Sequence, residues 1–166
     1  MIIWLTGISG VGKSTIAKAL YSKLKKRFIM IDGDVIRKIN NNDLGYSKID
    51  RDTNAKRLIN LAEYLSKQDI NLIVSANITS IKFRKIIKKR LRNFYEIHIT
   101  AEMKNLLKRD YKNIYKNAFS KKIKQVVGVD IKYYKPKNCF LYLENNSNKK
   151  NFLKNVNLII KKIFKK

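Results

Sequence analysis

Gly7-Ile8-Ser9-Gly10-Val11-Gly12-Lys13-Ser14, with Thr15 directly behind it, is the stretch that decides the fold. It is a complete G-x-x-x-x-G-K-[ST] phosphate-binding loop. Ahead of it lies Ile2-Ile3-Trp4-Leu5-Thr6, an apolar run that reads as a buried strand. Behind it, Thr15–Leu24 carries apolar residues at helical spacing. Strand, loop and helix in that order are the context the motif requires. The glycines Gly7, Gly10 and Gly12 let the main chain turn sharply and present its N–H groups inward. The positive end of the following helix adds to that field. The residues expected to cradle a nucleotide's phosphates are therefore Gly7, Ser9, Gly10, Val11, Gly12, Lys13, Ser14 and Thr15. Lys13 reaches the β- and γ-phosphates in such a loop, and the Ser14 hydroxyl ligates Mg²⁺. ATP and Mg²⁺ are the expected cofactors.

Bulk properties narrow the class. A chain of 166 residues has the size of one domain, and 1–166 is expected to form a single P-loop kinase domain. Its 45% hydrophobic content supports a packed core. No stretch approaches the ~20 apolar residues of a membrane span. The first strand begins at once, so no signal peptide is expected, and Cys139 is the lone cysteine, which leaves no intramolecular disulfide and no cysteine zinc site. A cytoplasmic protein is expected. The net charge is +26, with a pI near 10.2. Such a balance ordinarily points to nucleic acid or a membrane surface. Here the charge is spread along the chain, Lys far outnumbers Arg, and Asn and Ile are also abundant. Those three residues share AT-rich codons, so base composition accounts for the balance. No specific nucleic-acid partner and no membrane is expected; anionic small substrates are steered toward such a surface.

Strand and helix signals alternate along the rest. Phe28–Ile31 is a second strand ending at Asp32, Leu72–Val74 a third, Tyr95–Ile99 a fourth and Phe140–Leu143 a fifth. Helical spacing marks Ile49–Gln68, a basic Ile81–Leu91, a helix opening at Glu102–Lys108 and one closing helix over Phe152–Phe164. The pattern predicts an α/β fold: a five-stranded parallel sheet flanked by helices on both faces, with ligands beyond the carboxyl ends of the strands. Tyr111–Asn138 is polar and basic, holds the only proline, Pro136, and lacks a clear strand; the lid is expected at roughly 109–138.

A second constellation follows strand two. Asp32-Gly33-Asp34 and Arg37 place two carboxylates at a strand end beside the phosphate loop. Such carboxylates hold Mg²⁺ through water, or accept the proton of an attacking hydroxyl, and Asp34 is also a candidate N-cap for the next helix. The candidate catalytic residues are Lys13, Asp32 and Asp34, and the candidate metal ligands Ser14 and Asp32. Asp43-Leu44-Gly45-Tyr46-Ser47 comes next, then Asp50-Arg51 and Asn54.

Taken together these words resemble the adenylylsulfate kinase family. The match runs through Trp4–Ala17, Asp32–Arg37 and Asp43–Asn54. It continues more weakly through Ser75–Ser80, Arg109–Tyr115 and Val126–Asp130, ending at Tyr133 and Pro136. The loop alone is common to many NTPases; the three words in sequence are far more specific. The resemblance implies a nucleoside-kinase-like fold with a basic lid, usually a homodimer. It also implies transfer of the ATP γ-phosphoryl group to the ribose 3′-hydroxyl of a small anionic nucleotide, adenylylsulfate first. Position by position, Asp34, Arg37, Arg51 and Asn54 match substrate-binding residues. Tyr46 matches an aromatic stacked on the substrate base, and Ile78 and Thr79 a substrate-contacting turn. Arg109 and Lys112 match lid positions near the nucleotide. Which of Asp32 and Asp34 takes the proton stays open.

The departures cluster on the acceptor side. The I-S-P turn reads Ile78-Thr79-Ser80, K-G-L-Y reads Lys112-Asn113-Ile114-Tyr115, and F-T-G-I-D reads Val126-Val127-Gly128-Val129-Asp130. In the family the Phe at the Val126 position stacks on the base opposite the Tyr46 position, and a lost stacking face is worth roughly 1–3 kcal/mol. Val126 is thus a candidate substrate contact that has lost its ring. The donor half is intact, so an altered acceptor is the alternative, such as cytidine diphosphoramidate in capsule biosynthesis, with the same 3′-hydroxyl chemistry. Other classes are a P-loop ATPase without a small acceptor and a basic nucleic-acid-binding protein. His98, Trp4 and Cys139 read as structural residues, and phosphoryl transfer needs no imidazole.

Overall fold

The computed structural model describes residues 1–110 and 112–164, so Tyr111 and the terminal Lys165-Lys166 pair lie outside the described residues. Strands β1 (Ile2–Thr6), β2 (Phe28–Asp32), β3 (Asn71–Ser75), β4 (Phe94–Thr100) and β5 (Leu141–Glu144) form one sheet in the order β2-β3-β1-β4-β5. Every pairing is parallel. The phosphate-loop strand is central, and Ile2, Ile3 and Leu5 are fully buried, which is why this strand reads as a continuous apolar run.

Alternate residues of the central strand feed two cores. Ile3 and Leu5 pack with Ile97, Ile99 and Ile73 against helix α1 (Lys13–Leu24) on one face. Ile2 and Trp4 pack with Leu72 and Val74 on the other, against helices α3 (Lys48–Lys67) and α4 (Ile81–Arg90), which follow α2 (Gly33–Ile39). Trp4 is structural, as expected, and its Nε1 donates to the Ala76 carbonyl at 3.0 Å. Helices α5 (Met103–Arg109) and α6 (Ile114–Phe119) precede β5, and Leu106, Tyr115 and Ala118 return to the α1 face.

Two local expectations need correction. The closing segment is two helices, α7 (Lys149–Leu153) and α8 (Asn155–Phe164). Asn148 caps α7 by accepting from the Asn151 N–H. The Lys154 N–H then bonds the Asn151 carbonyl and the Asn157 N–H the Lys154 carbonyl, so three-residue bonds interrupt the ladder at the junction. Apolar spacing runs unbroken across the junction and so hides it. At α2 the cap is Asp32 and not Asp34: the Asp32 Oδ1 accepts from the Asp34 N–H at 2.9 Å.

The region 121–140 is ordered by local bonds without a long helix. A bridge joins Val127 to Ile131, and the Asp130 carboxylate accepts from the main-chain N–H groups of Gln125 and Val126. Residues 133–140 then run over β4 and β5 on the face that α4 occupies further along the sheet. There the Tyr142 hydroxyl donates to the Pro136 carbonyl at 2.8 Å, and the Arg84 Nη1 to the Tyr134 carbonyl at 2.7 Å. Under this cover lies a buried polar group. Glu96 Oε1 accepts from Arg84 Nε at 3.0 Å and from the Thr6 hydroxyl at 3.1 Å, and Thr6 Oγ1 is 3.1 Å from His98 Nδ1. Desolvation first, then the charges of Arg84, Lys135 and Lys13, push the His98 pKa down to about 4, so the ring is neutral near pH 7. His98 is a core residue, as its strand position implies. Cys139 is half-buried, and its Sγ lies 3.3 Å from the Leu141 carbonyl.

Candidate active site at the carboxyl edge of the sheet

The ends of β1, β2 and β3 deliver Thr6, Asp32 and Ser75 to one edge of the sheet, and the phosphate loop crosses above them. Two glycines have no substitute there. Gly7 has φ +140°, and a Cβ on it would sit 2.3 Å from the Ile99 carbonyl oxygen. Gly12, the N-cap of α1, has φ +101°, and a Cβ there would sit 2.7 Å from Phe152 and 2.8 Å from the Asn145 side chain. Val11 between them is fully buried and anchors the loop to the core, whereas Ser9 and Gly10 lie at its exposed rim.

Lys13 Nζ donates to the Ile8 carbonyl at 2.8 Å, folded back across its own loop. Desolvation pushes its pKa down to about 8 against the opposing pull of Asp34 and Asp32. Ser14 Oγ donates to Asp32 Oδ2 at 2.8 Å and lies 3.1 Å from Ser75 Oγ. Asp34 is within 3.9 Å of Lys112 Nζ. Lys13, Ser14, Asp32, Asp34 and Lys112 thus lie together at this edge of the sheet.

Arg37, Tyr46 and Arg51 form the second cluster. The Asp43–Ser47 turn is set by a capping box at the head of α3: the Asp50 N–H donates to Ser47 Oγ at 3.1 Å and the Ser47 N–H to Asp50 Oδ2 at 3.2 Å. This turn hands the Leu44 and Gly45 carbonyls to the buried Arg37 Nη1, at 3.2 and 2.8 Å. It leaves the exposed Tyr46 ring within cation–π reach of two guanidiniums, with Arg37 Cζ 5.0 Å and Arg51 Cζ 5.4 Å from the centroid. Arg51 also donates to the Gln125 carbonyl at 2.7 Å, tying α3 to the segment that holds Val126. Burial first, then the neighbouring Arg37 charge, lower the Arg51 pKa. Among the described residues neither arginine has a salt bridge to a carboxylate, so an anion placed between them relieves a like-charge repulsion.

Other expected positions fall differently. Asn54 is buried on α3 with its Oδ1 unpartnered, and Thr79 is half-buried. Ile78 is buried in the core beneath α4. Val126 is 6% exposed and packs in the α1-side core, so the valine is a core residue and not a free face left open by a missing ring. Arg109 ends α5 with its guanidinium on the Asn145 and Ser147 carbonyls at 2.8 and 3.1 Å.

The structure adds supports absent from the motif reading. The buried Asn145 Nδ2 donates to the Val11 carbonyl at 2.9 Å, and the Tyr115 hydroxyl to the Ser9 carbonyl at 2.7 Å. Burial, and secondarily Asp110, raise the Tyr115 pKa and keep it a donor. Ser75, on the Ser14 hydroxyl, had only its place at a strand end to mark it.

A glycine-rich loop opening a helix off a central parallel strand, with a lysine, a serine and a carboxylate beneath it, defines a P-loop kinase. The chain belongs to the adenylylsulfate kinase family: that family's sequence profile, adenylylsulphate kinase, matches residues 1–144. The cytidine diphosphoramidate kinase of Campylobacter jejuni subsp. jejuni serotype O:2 is 40% identical over 168 aligned residues, covering 98% of this chain and 95% of that protein. The adenylyl-sulfate kinase of Deinococcus deserti is 35% identical over 148 residues, covering 87% and 82%. The solved Mycobacterium tuberculosis APS kinase, in complex with AMPPNP and APS, superposes with a TM-score of 0.88 at 28% identity over 98% of this chain and 96% of that one. The chain is therefore a phosphotransferase of an ATP-using family, acting on a hydroxyl group. No described helix is long and apolar enough to cross a membrane.

Proposed function

We propose that this protein transfers the γ-phosphoryl group of ATP to the ribose 3′-hydroxyl of cytidine diphosphoramidate. The observation that carries the choice of acceptor is the reach of the likeness to the Campylobacter kinase. It spans 98% of this chain, including the acceptor-side segments, at 40% identity. Tyr46, 55% exposed beside Arg37 and Arg51, is the ring that this reading places against the base. Adenylylsulfate, the acceptor that the motifs place first, is the second reading. It is favoured by the family profile and by the Mycobacterium enzyme.

In this reading the loop amides and Lys13 hold the β- and γ-phosphates, and Arg109 and Lys112 close over the donor. Arg37 and Arg51 grip the acceptor's charged group, with Tyr46 beneath its base. Asn54 and Thr79 border the sugar. The acceptor oxygen bonds to the γ-phosphorus as the bond to the β–γ bridging oxygen breaks, releasing ADP. The hydroxyl proton passes to Asp32 or Asp34, or to water, and the rest is positioning and electrostatics.

Mg²⁺ fits the donors present. Among the described residues no group of three or more His, Cys, Asp or Glu is placed to hold a metal. Ser14 and Asp32 supply only two oxygens, 2.8 Å apart. That suits an ion completed by phosphate oxygens and water. When bound, it neutralises charge on the transferring group. Initial rates of ADP release with each acceptor test the proposal: a kcat/KM at least tenfold higher for cytidine diphosphoramidate supports it, and the reverse preference establishes the second reading.

Lys13 gives the donor side a pH signature. Its pKa in the free protein is about 8, while contact with phosphates favours the charged form. Below pH 8 the ammonium is already present. Above it, binding must add a proton, so affinity for Mg·ATP falls as pH rises, by up to about tenfold per unit. Calorimetry at about pH 9 in buffers of different ionisation enthalpy should show uptake of close to one proton. Affinity that stays flat across pH 7 to 9.5 contradicts this role.

A further inference from the structure

Arg51 is held in the acceptor cluster by two main-chain carbonyls from different parts of the chain. Its Nε donates to the Tyr46 carbonyl at 2.8 Å, and its Nη2 to the Gln125 carbonyl at 2.7 Å, 74 positions away. Bonds at two nitrogens fix the plane of a guanidinium and spare Nη1 for an anion. The Tyr46 bond is local to α3 and the turn before it. The Gln125 bond depends on what holds that distant carbonyl.

Gln125 is exposed, and its main chain has φ +68°, a left-handed conformation that a residue with a side chain keeps only under constraint. The constraint is Asp130. Its carboxylate accepts from the Gln125 and Val126 N–H groups together. The Val126 carbonyl in turn accepts from the N–H groups of Val129, Asp130 and Ile131, and the Gly128 N–H bonds the Ile131 carbonyl. Residues 125–131 thus close into a clasp. Among the described residues no salt bridge engages Asp130, so the clasp is what its carboxylate serves. The far side of the clasp is anchored independently. Val126 and Val127 are buried, and Gly128, at φ +93°, backs onto the phosphate loop: a Cβ on it would lie 3.4 Å from Ile8 Cδ1. Removing the Asp130 carboxylate therefore frees the Gln125 carbonyl and leaves the phosphate-loop side in place.

We propose that Asp130 is a positioning residue for the acceptor, acting through the Gln125 carbonyl to aim Arg51. This rests on the assignment of Arg51 to the acceptor's charged group made above. Asp130 touches neither substrate. It holds a carbonyl, the carbonyl orients a guanidinium, and the guanidinium meets the anion.

A double-substitution cycle in steady-state kinetics, with cytidine diphosphoramidate and adenylylsulfate each tried as acceptor, tests the link. Asp130→Ala should raise KM for the acceptor that the protein uses by about three- to tenfold, the scale of one hydrogen bond, with kcat and KM for ATP unchanged. In an Arg51→Ala background the same substitution should move acceptor KM by less than about twofold. Asp130→Asn keeps one accepting oxygen and should fall between the parent and the alanine variant. A thermal melt checks each fold, and Asp130→Asn carries the cycle if the alanine variant does not fold. A parental acceptor KM in Asp130→Ala, an undiminished effect in the Arg51→Ala background, or an equal rise in KM for ATP overturns the proposal. A parental acceptor KM in Arg51→Ala alone is a separate result: it removes Arg51 from the acceptor, and the proposal falls with it.

Discussion

Replacing Lys13 with alanine should lower kcat for phosphoryl transfer by roughly 10²–10³-fold, the usual loss when one preorganised donor is removed from a transition state. The ammonium is the cation built into the phosphate loop itself. It donates to the Ile8 carbonyl at 2.8 Å, across its own loop. Little of the fold depends on it, because it carries a desolvation penalty visible in its lowered pKa. The variant should therefore melt within a degree or two of the parent, as about 0.5 kcal/mol implies for a chain of this size. Arginine should not restore the rate, since its wide planar fork does not replace a compact ammonium. Coupled ADP release and circular dichroism on the same preparations decide the matter: parental kcat in a folded Lys13→Ala protein ends the phosphoryl-transfer assignment of this loop.

Arg37→Ala should raise KM for the nucleotide acceptor by about tenfold to a hundredfold, the range for one charge-assisted hydrogen bond, while KM for ATP stays put. The asymmetry follows from position. Arg37 lies on α2, beyond the acidic pair, and its guanidinium faces Tyr46. Loss of its bonds to the Leu44 and Gly45 carbonyls also loosens the turn that presents the ring. Arg51→Ala is the comparison: it leaves those two bonds in place, removes the second cation near Tyr46 and breaks the bonds from Arg51 to the Tyr46 and Gln125 carbonyls. A smaller acceptor effect in Arg51→Ala, with ATP again unaffected, assigns the larger share to Arg37 and its bonds to the Leu44 and Gly45 carbonyls. An equal rise for ATP and acceptor in Arg37→Ala places that arginine on the donor side.

What was legible in the chain depended on how local each feature is. The phosphate loop and the Asp32–Arg37 word are contiguous, so their residue types state their geometry. The five strands are legible for a related reason: buried parallel strands are apolar runs with little ambiguity. The turn after Asp43 was readable as a family word, but only the structure explains it, through the Ser47–Asp50 box that aims two carbonyls at Arg37. The buried Arg84–Glu96–Thr6–His98 group was not legible. Its members come from two strands and a helix, up to 92 positions apart, and no periodicity links them. Val126 misled because a comparison of residue types at one position says nothing about whether the smaller side chain stays in place or sinks into the core; here it sinks. Tyr115 and Asn145 escaped because they act on main-chain carbonyls of the loop, which carry no residue identity.

Asn145 and Phe152 carry one more consequence. Both touch the loop from behind, the first by bonding the Val11 carbonyl and the second by closing on Gly12, yet both lie past residue 144, where the match to the family profile stops. The tail of the chain is therefore a buttress for the cradle rather than an appendage. Trimming the chain after residue 144 would leave the signature motif spelled out in full and the backbone beneath it unsupported.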